Sequence, residues 1–430
     1  MRMSRMTVGL GVGVLTLVLA TACGRDSKGQ EAVRTDAALE RKVEELLPTV
    51  GEFAHLEALS TPAVRRSSAA TLEAYLLERL DAEFPEDTLE RLTAAYQAFG
   101  LIPDTLDLRR LLVDLLLEQA IGYYDPQRDI LFVRDEAPEL MLDALLVHEL
   151  VHALQDQHVD LDSLMHAISE NDRRTAAQAA MEGHATAAMM AWQFAQMTGS
   201  SLSAEQLPEV GPEMAAALSD PSQFPRLAAA PTIVRDPMLF VYLGGARLVQ
   251  RLWRLHADRP LPFGAWLPES TEQLLHTERL LEERDSPTPM RLAEPGGGWQ
   301  VSYTSDLGEL EIGIYFEEHL GDRVLAARAA AGWDGDAYAL LVRGDDAALV
   351  WYSAWDSLAD ADEFVDAYRT AFMARFGGEA VGEELAAPQR RARVERLTVT
   401  GIPVVRVVET TPAVTLENPP GLSLVPKSGR

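Results

Sequence analysis

His148, Glu149 and His152, in the run HELVHALQDQH (148 to 158), are the residues whose types and spacing are best suited to chemistry. On an α-helix, residues four apart share a face, so the two imidazoles can converge on one metal ion. Glu149, one step round, then reaches a water at that ion and can serve as its base. This is the pattern of a zinc hydrolase. A motif this short would occur by chance in roughly one unrelated chain in a hundred, so its surroundings decide. Leu142, Leu145, Leu146 and Val147 lead into it and Leu150, Val151 and Leu154 continue it, which predicts a largely buried helix. Two histidines and a glutamate buried there are unfavourable unless something satisfies them. The bland reading is a pair of hydrogen-bonded helix histidines beside a solvent-facing glutamate.

A catalytic zinc needs a third protein ligand and keeps its fourth position for water. Two residues compete for the role. Glu182, in Ala180-Met181-Glu182-Gly183-His184-Ala185, is a lone carboxylate among alanines and methionines on the next long helix, thirty residues after His152, with Gly183 beside it to let two helices approach closely. His158 lies ten residues after His148, the metzincin spacing. In unbroken helix, though, His158 turns about 80° one way from His148 and His152 about 40° the other, roughly 120° apart. Metzincins break the helix at a glycine where this chain has Gln155, a good helix former, and that favours Glu182.

With these motifs stand a Gly122-Tyr123-Tyr124-Asp125-Pro126 hairpin, Ser270-Thr271-Glu272-Gln273-Leu274-Leu275-His276 and Gly332-Trp333-Asp334-Gly335-Asp336. Together, over residues of about 120 to 375, they resemble a family of exported bacterial zinc metallopeptidases of the gluzincin, peptidase MA-like type. The resemblance implies a zincin-like catalytic domain, a Zn2+ cofactor held by His148, His152 and Glu182, and Glu149 as general base. His184 and Thr277 stand where Asp and Pro are more usual in that family. The expected reaction is hydrolysis of a peptide bond. Glu149 takes a proton from the attacking water and passes it to the leaving amine. Tyr123, Tyr124, Tyr242 and His276 are candidate donors to the oxyanion, and none is assigned. Asp156, one turn beyond His152, is either a carboxylate that orients that imidazole or a solvated helix charge.

The rest of the chain must position this site. A net charge of −28 over 430 residues disfavours nucleic acid and anionic membrane surfaces as partners. Residues 1–22 read as a signal peptide: basic Arg2 and Arg5, an apolar stretch from Val8 to Ala20, then Ala22 before Cys23. Cys23 is the sole cysteine and resembles a lipoprotein acceptor, which predicts an exported protein anchored to the cell envelope. Cleavage by an ordinary signal peptidase would instead leave it soluble and secreted or periplasmic.

The fold expected is α+β and predominantly helical. Residues 23–38 form a tether, 39–295 a mostly helical metallopeptidase domain, 296–415 an α+β C-terminal region and 416–430 a loose tail. Helices are expected over Leu39 to Phe99, Asp172 to Met197, Leu239 to Leu255, Thr271 to Glu283, Asp306 to Leu320 and Asp360 to Phe376. Paired strands are expected at Tyr338 to Val342 and Ala348 to Ala354, and further strands over Val394 to Thr410. The hairpin before the motif could offer a strand edge to an extended peptide, or simply cover the core. Two other functions stay open: a non-catalytic zinc-binding surface lipoprotein, and a zinc hydrolase of a non-peptide amide in the cell envelope.

Overall fold

The computed structural model describes residues 34–84, 87–211, 214–215, 220–425 and 427; the segment expected to be a signal peptide and Cys23 lie outside these. Helix α1 (Ala37–Ala54) begins where the Asp36 carboxylate accepts the amides of Ala38 and Leu39, and it buries Leu39, Val43, Leu47 and Val50 as one stripe. The tether is therefore shorter than expected. Arg34 already exchanges backbone hydrogen bonds with Arg66, and helix begins by Ala37.

Strand β1 (Ala63–Ser67) interrupts the stretch read as helical, and α2 (Ala69–Glu83), α3 (Thr88–Phe99) and α4 (Leu108–Gln119) follow. The expected hairpin is present as β2 (Gly122–Asp125) and β3 (Ile130–Arg134), with the Asp125 carboxylate accepting the Gln127 amide in the turn. Strand β1 joins β3 in parallel, so the order β1-β3-β2 leaves β2 at an edge.

Next come α5 (Glu139–His158), which carries the motif, α6 (Leu161–His166), the long α7 (Asn171–Thr198), α8 (Pro225–Ala229) and α9 (Thr232–Leu255). One core joins α1, β1, β3, α5 and α7 through Val43, Val50, Val64, Leu131, Leu146, Val147 and Ala188. Residues 271–283 were expected as one helix and instead form two single turns, α10 (Glu272–Leu275) and α11 (Glu278–Leu281). Tertiary bonds override local propensity there: Thr271 donates to Asp172 and Gln273 to the Asp285 carbonyl, and His276 leaves the helical region at φ −121°.

The remaining elements are β4 (Met290–Leu292), β5 (Gln300–Ser305), α12 (Gly308–Leu320), α13 (Arg323–Ala330), β6 (Trp333–Arg343), β7 (Asp346–Trp355), α14 (Leu358–Phe376), β8 (Glu379–Val381), β9 (Glu384–Ala386), β10 (Arg391–Val399), β11 (Ile402–Thr410) and β12 (Leu422–Leu424). Strands β5 to β11 make an antiparallel sheet in the order β5-β6-β7-β11-β10-β9-β8. The fold is a mixed α/β one, about 51% helical, so helix predominates.

Two boundaries differ from expectation. The core on one face of the large sheet, with Trp351, Val405 and Val407, takes in Tyr315, Phe364 and Phe372 from α12 and α14, but also Phe99, Ile102, Leu227 and Ile233. The chain on either side of residue 296 thus shares one core. The tail is docked up to Leu424: β12 pairs with β4, and the Tyr352 hydroxyl donates to the Pro420 carbonyl.

Asp334-Gly335-Asp336 is structural. The Asp336 carboxylate accepts the amides of Leu307 and Gly308 and the indoles of Trp333 and Trp351, so it fixes the start of α12. Gly335 has φ +146°, and a Cβ there would lie 2.4 Å from the Thr288 carbonyl oxygen.

Glu311 accepts from Asn171 Nδ2 at 3.1 Å and has its second oxygen buried with no partner among the described residues. Burial, opposed by the Asn171 bond and reinforced by Asp306 and Asp336, pushes its carboxyl up to about 8. A folded-state value above the unfolded one means that its stabilisation is complete below about pH 4.5 and is lost as pH rises through about 8. Glu311→Gln should therefore melt higher than wild type at pH 9, with the gap closing towards pH 5. Calorimetry across that range would contradict this if the gap widened on acidification.

Candidate metal centre

Helix α5 presents His148 and His152 to the same side, and α7 crosses it to present Glu182. His148 Nε2 lies 3.2 Å from Glu182 Oε2, His152 Nε2 lies 3.3 Å from the same oxygen, and the two Nε2 atoms are 3.2 Å apart. The three donors form a near-equilateral triangle. A tetrahedral site with bonds of ~2.0–2.2 Å has its donors ~3.3–3.6 Å apart, so the triangle fits one face of such a site. Among the described residues a second group of carboxylates converges, Glu272, Asp285 and Asp356, but all three already bind the guanidinium of Arg279.

Charge points the same way. Burial would push the His152 imidazole down, yet the Glu182 carboxylate beside it holds it up to about 9. Burial would raise Glu182, and the imidazolium of His152 holds it below the usual carboxylate range. Three buried donors that converge in this way could hold a metal ion.

His148, Glu149 and His152 are fully buried, and Glu182 is 3% exposed. Glu149 Oε2 accepts the backbone amide of Tyr124 at 2.8 Å. That bond changes the reading of the hairpin. All four residues of β2 are buried and the outward amide of Tyr124 is engaged by Glu149, so the edge is not freely open to a peptide at that residue.

Of the other sequence candidates, His158 points away and reaches the Glu57 carbonyl at 2.8 Å, as an unbroken α5 requires. Asp156 does not touch His152; it accepts the Tyr124 hydroxyl and the Leu161 amide. Tyr123 stacks between Tyr75 and Phe132, and His276 pairs with Glu309. The Tyr242 ring lies beside the three converging residues, its centroid 6.1 Å from that of His148.

Gly183 does permit a close approach, but of α9 rather than α5. A Cβ on Gly183 would lie 2.0 Å from the Gly245 carbonyl carbon, and one on Gly245 would lie 1.9 Å from the Ala179 carbonyl oxygen. Backbone contact between α7 and α9 sets Tyr242, on the same stretch of α9, beside the site.

A family model described as Domain of unknown function (DUF8575) matches residues 299–418. No curated protein matches the chain, and no solved structure does. The matched stretch runs from the β5 region past β11 and contains none of the four residues at 148, 149, 152 and 182.

In the sequence Gln155 reads only as a helix former. It is fully buried and bonds to His152, the backbone of Met181 and His184. The available signal was its position three residues after His152, on the same helix face.

Two predictions follow from this geometry. Glu182→Ala should lose bound metal while His158→Ala keeps it; equal metal content in both variants, by elemental analysis, would remove Glu182 from the ligand set. Gly183→Ala should cost about 1–3 kcal/mol by forcing α7 and α9 apart, and an unchanged melting temperature would mean that the helices are not in backbone contact.

Proposed function

We propose that this chain is a zinc-dependent metallopeptidase of zincin-like architecture in which His148, His152 and Glu182 hold the metal and Glu149 is the general base. The observation that carries it is the triangle of donors at 3.2–3.3 Å with Glu149 fixed beside it. Zinc held there supplies a Lewis acid that makes water nucleophilic near neutral pH and polarises a carbonyl.

The chain's own residues supply the rest. Glu149 is one residue from His148, and its charge is felt at His152. The Tyr124 amide keeps its carboxylate in one place. From there Glu149 accepts a proton from the attacking water as the new C–O bond forms. It returns that proton to the amide nitrogen as the C–N bond breaks. Burial excludes bulk water and strengthens each of these charge interactions. The N-terminal segment with Cys23 supports an exported, lipid-anchored setting for the same activity.

One observation favours a second reading. Full burial of both histidines and Glu149 is what a structural metal site requires, and a non-catalytic zinc-binding lipoprotein would look the same there. Glu149 separates the two, because it is not one of the converging ligands.

Glu149→Gln should retain about one zinc per chain and lose peptide hydrolysis by roughly 10²-fold or more. A peptide-library digest with this variant as control reads both quantities. Equal cleavage by variant and wild type would overturn the role of Glu149, and absence of cleavage by zinc-loaded wild type would favour the structural site.

A further inference from the structure

A chain of hydrogen bonds runs from helix α1 to the metal centre. His152 Nδ1 lies 2.9 Å from Gln155 Oε1. Gln155 Nε2 lies 3.0 Å from the Met181 carbonyl oxygen and 3.1 Å from His184 Nδ1. His184 Nε2 lies 2.8 Å from the carbonyl oxygen of Ala54, the last residue of α1. Gln155 and His184 are fully buried, so water cannot substitute for a missing partner.

The direction of every proton in this chain follows from its two backbone ends. A carbonyl oxygen only accepts, so Ala54 requires a hydrogen on His184 Nε2, and a neutral His184 then presents a bare Nδ1. Met181 likewise requires the amide nitrogen of Gln155 on its side. That nitrogen has two hydrogens, and the second meets the bare His184 Nδ1. The amide is thereby locked with its oxygen towards His152. An oxygen there accepts only from His152 Nδ1–H, so the neutral ring that binds a metal has its Nε2 lone pair facing His148 and Glu182. With the amide turned round, its NH2 would face Nδ1 and force the hydrogen onto Nε2, where it would block a metal.

His148 has no such support. Its Nδ1 is buried with no hydrogen-bond partner among the described residues. The two imidazoles are thus held unequally, and His152 is the one whose tautomer is set in advance.

We infer that Gln155 and His184 are positioning residues that preset the metal-binding tautomer of His152, using the C-terminal carbonyl of α1 and the Met181 carbonyl as fixed references. This inference rests on the metal reading above. It makes α1 part of the centre, since its last carbonyl terminates the chain. It also gives a use to the histidine at position 184 and to an amide that packing alone would not require.

The test joins spectroscopy on the unaltered full-length protein to metal affinity. Histidine-labelled protein, read by long-range proton–nitrogen correlation, should show His184 carrying its hydrogen on Nε2 with and without zinc. In the zinc-loaded protein His152 should show a solvent-protected hydrogen on Nδ1. Gln155→Leu, close in volume and unable to accept, should bind zinc about 10- to 100-fold more weakly in competition with a chromophoric chelator, with its circular dichroism unchanged and its His152 signal lost. His184→Leu should show a smaller loss, since Met181 still orients the amide. Zinc affinity in Gln155→Leu equal to wild type, or His152 bound through Nδ1, overturns the inference while leaving the metal reading intact. Failure of wild type to take up zinc overturns both. If Gln155→Leu does not fold, the wild-type spectra decide alone, and a His184 hydrogen found on Nδ1 contradicts the chain of bonds.

Discussion

The interaction on which the rest of the structure depends is the mutual approach of two imidazoles and one carboxylate inside an apolar core. Three polar side chains with donors 3.2–3.3 Å apart cannot be buried there without a positive charge among them. The Glu182 carboxylate holds the His152 imidazole up to about 9 against the effect of burial. A divalent cation would supply the positive charge that Glu182 favours there, and its bond lengths match the spacing of the donors. The surrounding elements act as supports for this one arrangement.

Each support acts through a different kind of contact. Helix α5 sets the separation of the histidines by its own periodicity, and Leu150 and Val151 between them, with Leu146, Val147 and Leu154 on either side, anchor it against α1, β3 and α7. Helix α7 is placed at its start by Asp172, which accepts from Thr271, and at its middle by the glycine contact with α9. Strand β2 reaches the site through one amide, that of Tyr124, which fixes the base. The large C-terminal sheet supplies no ligand. It contributes through a shared core, and just after β5 the Asp306 carboxylate accepts the Asp172 amide at the start of α7.

What could be read from the sequence was what depends on local periodicity. That His148 and His152 share a helix face follows from their spacing, and Glu182 stood out as a lone carboxylate among alanines and methionines. The β2–β3 and β6–β7 hairpins were legible because runs of aromatic, β-branched and other apolar residues flank clear turn residues. The features that were not legible depend on partners far away in the chain. Strand β1 is five residues with two arginines between helices, and only its parallel pairing with β3 makes it a strand. The break at His276 is imposed by bonds to Asp172, Asp285 and Glu309. Gln155 looked like a helix former because its partners, Met181 and His184, lie on another helix. The tail looked loose because β12 finds β4 across more than a hundred residues.

The most direct measurement of the central claim is X-ray absorption at the zinc edge on metal-loaded full-length protein. It should show a shell of nitrogen and oxygen at about 2.0–2.2 Å with the outer scattering of two imidazoles. In Glu182→Ala the shell should lose a ligand or the metal should be absent. A shell with one imidazole or none, or one unchanged by loss of Glu182, would contradict a centre built from His148, His152 and Glu182.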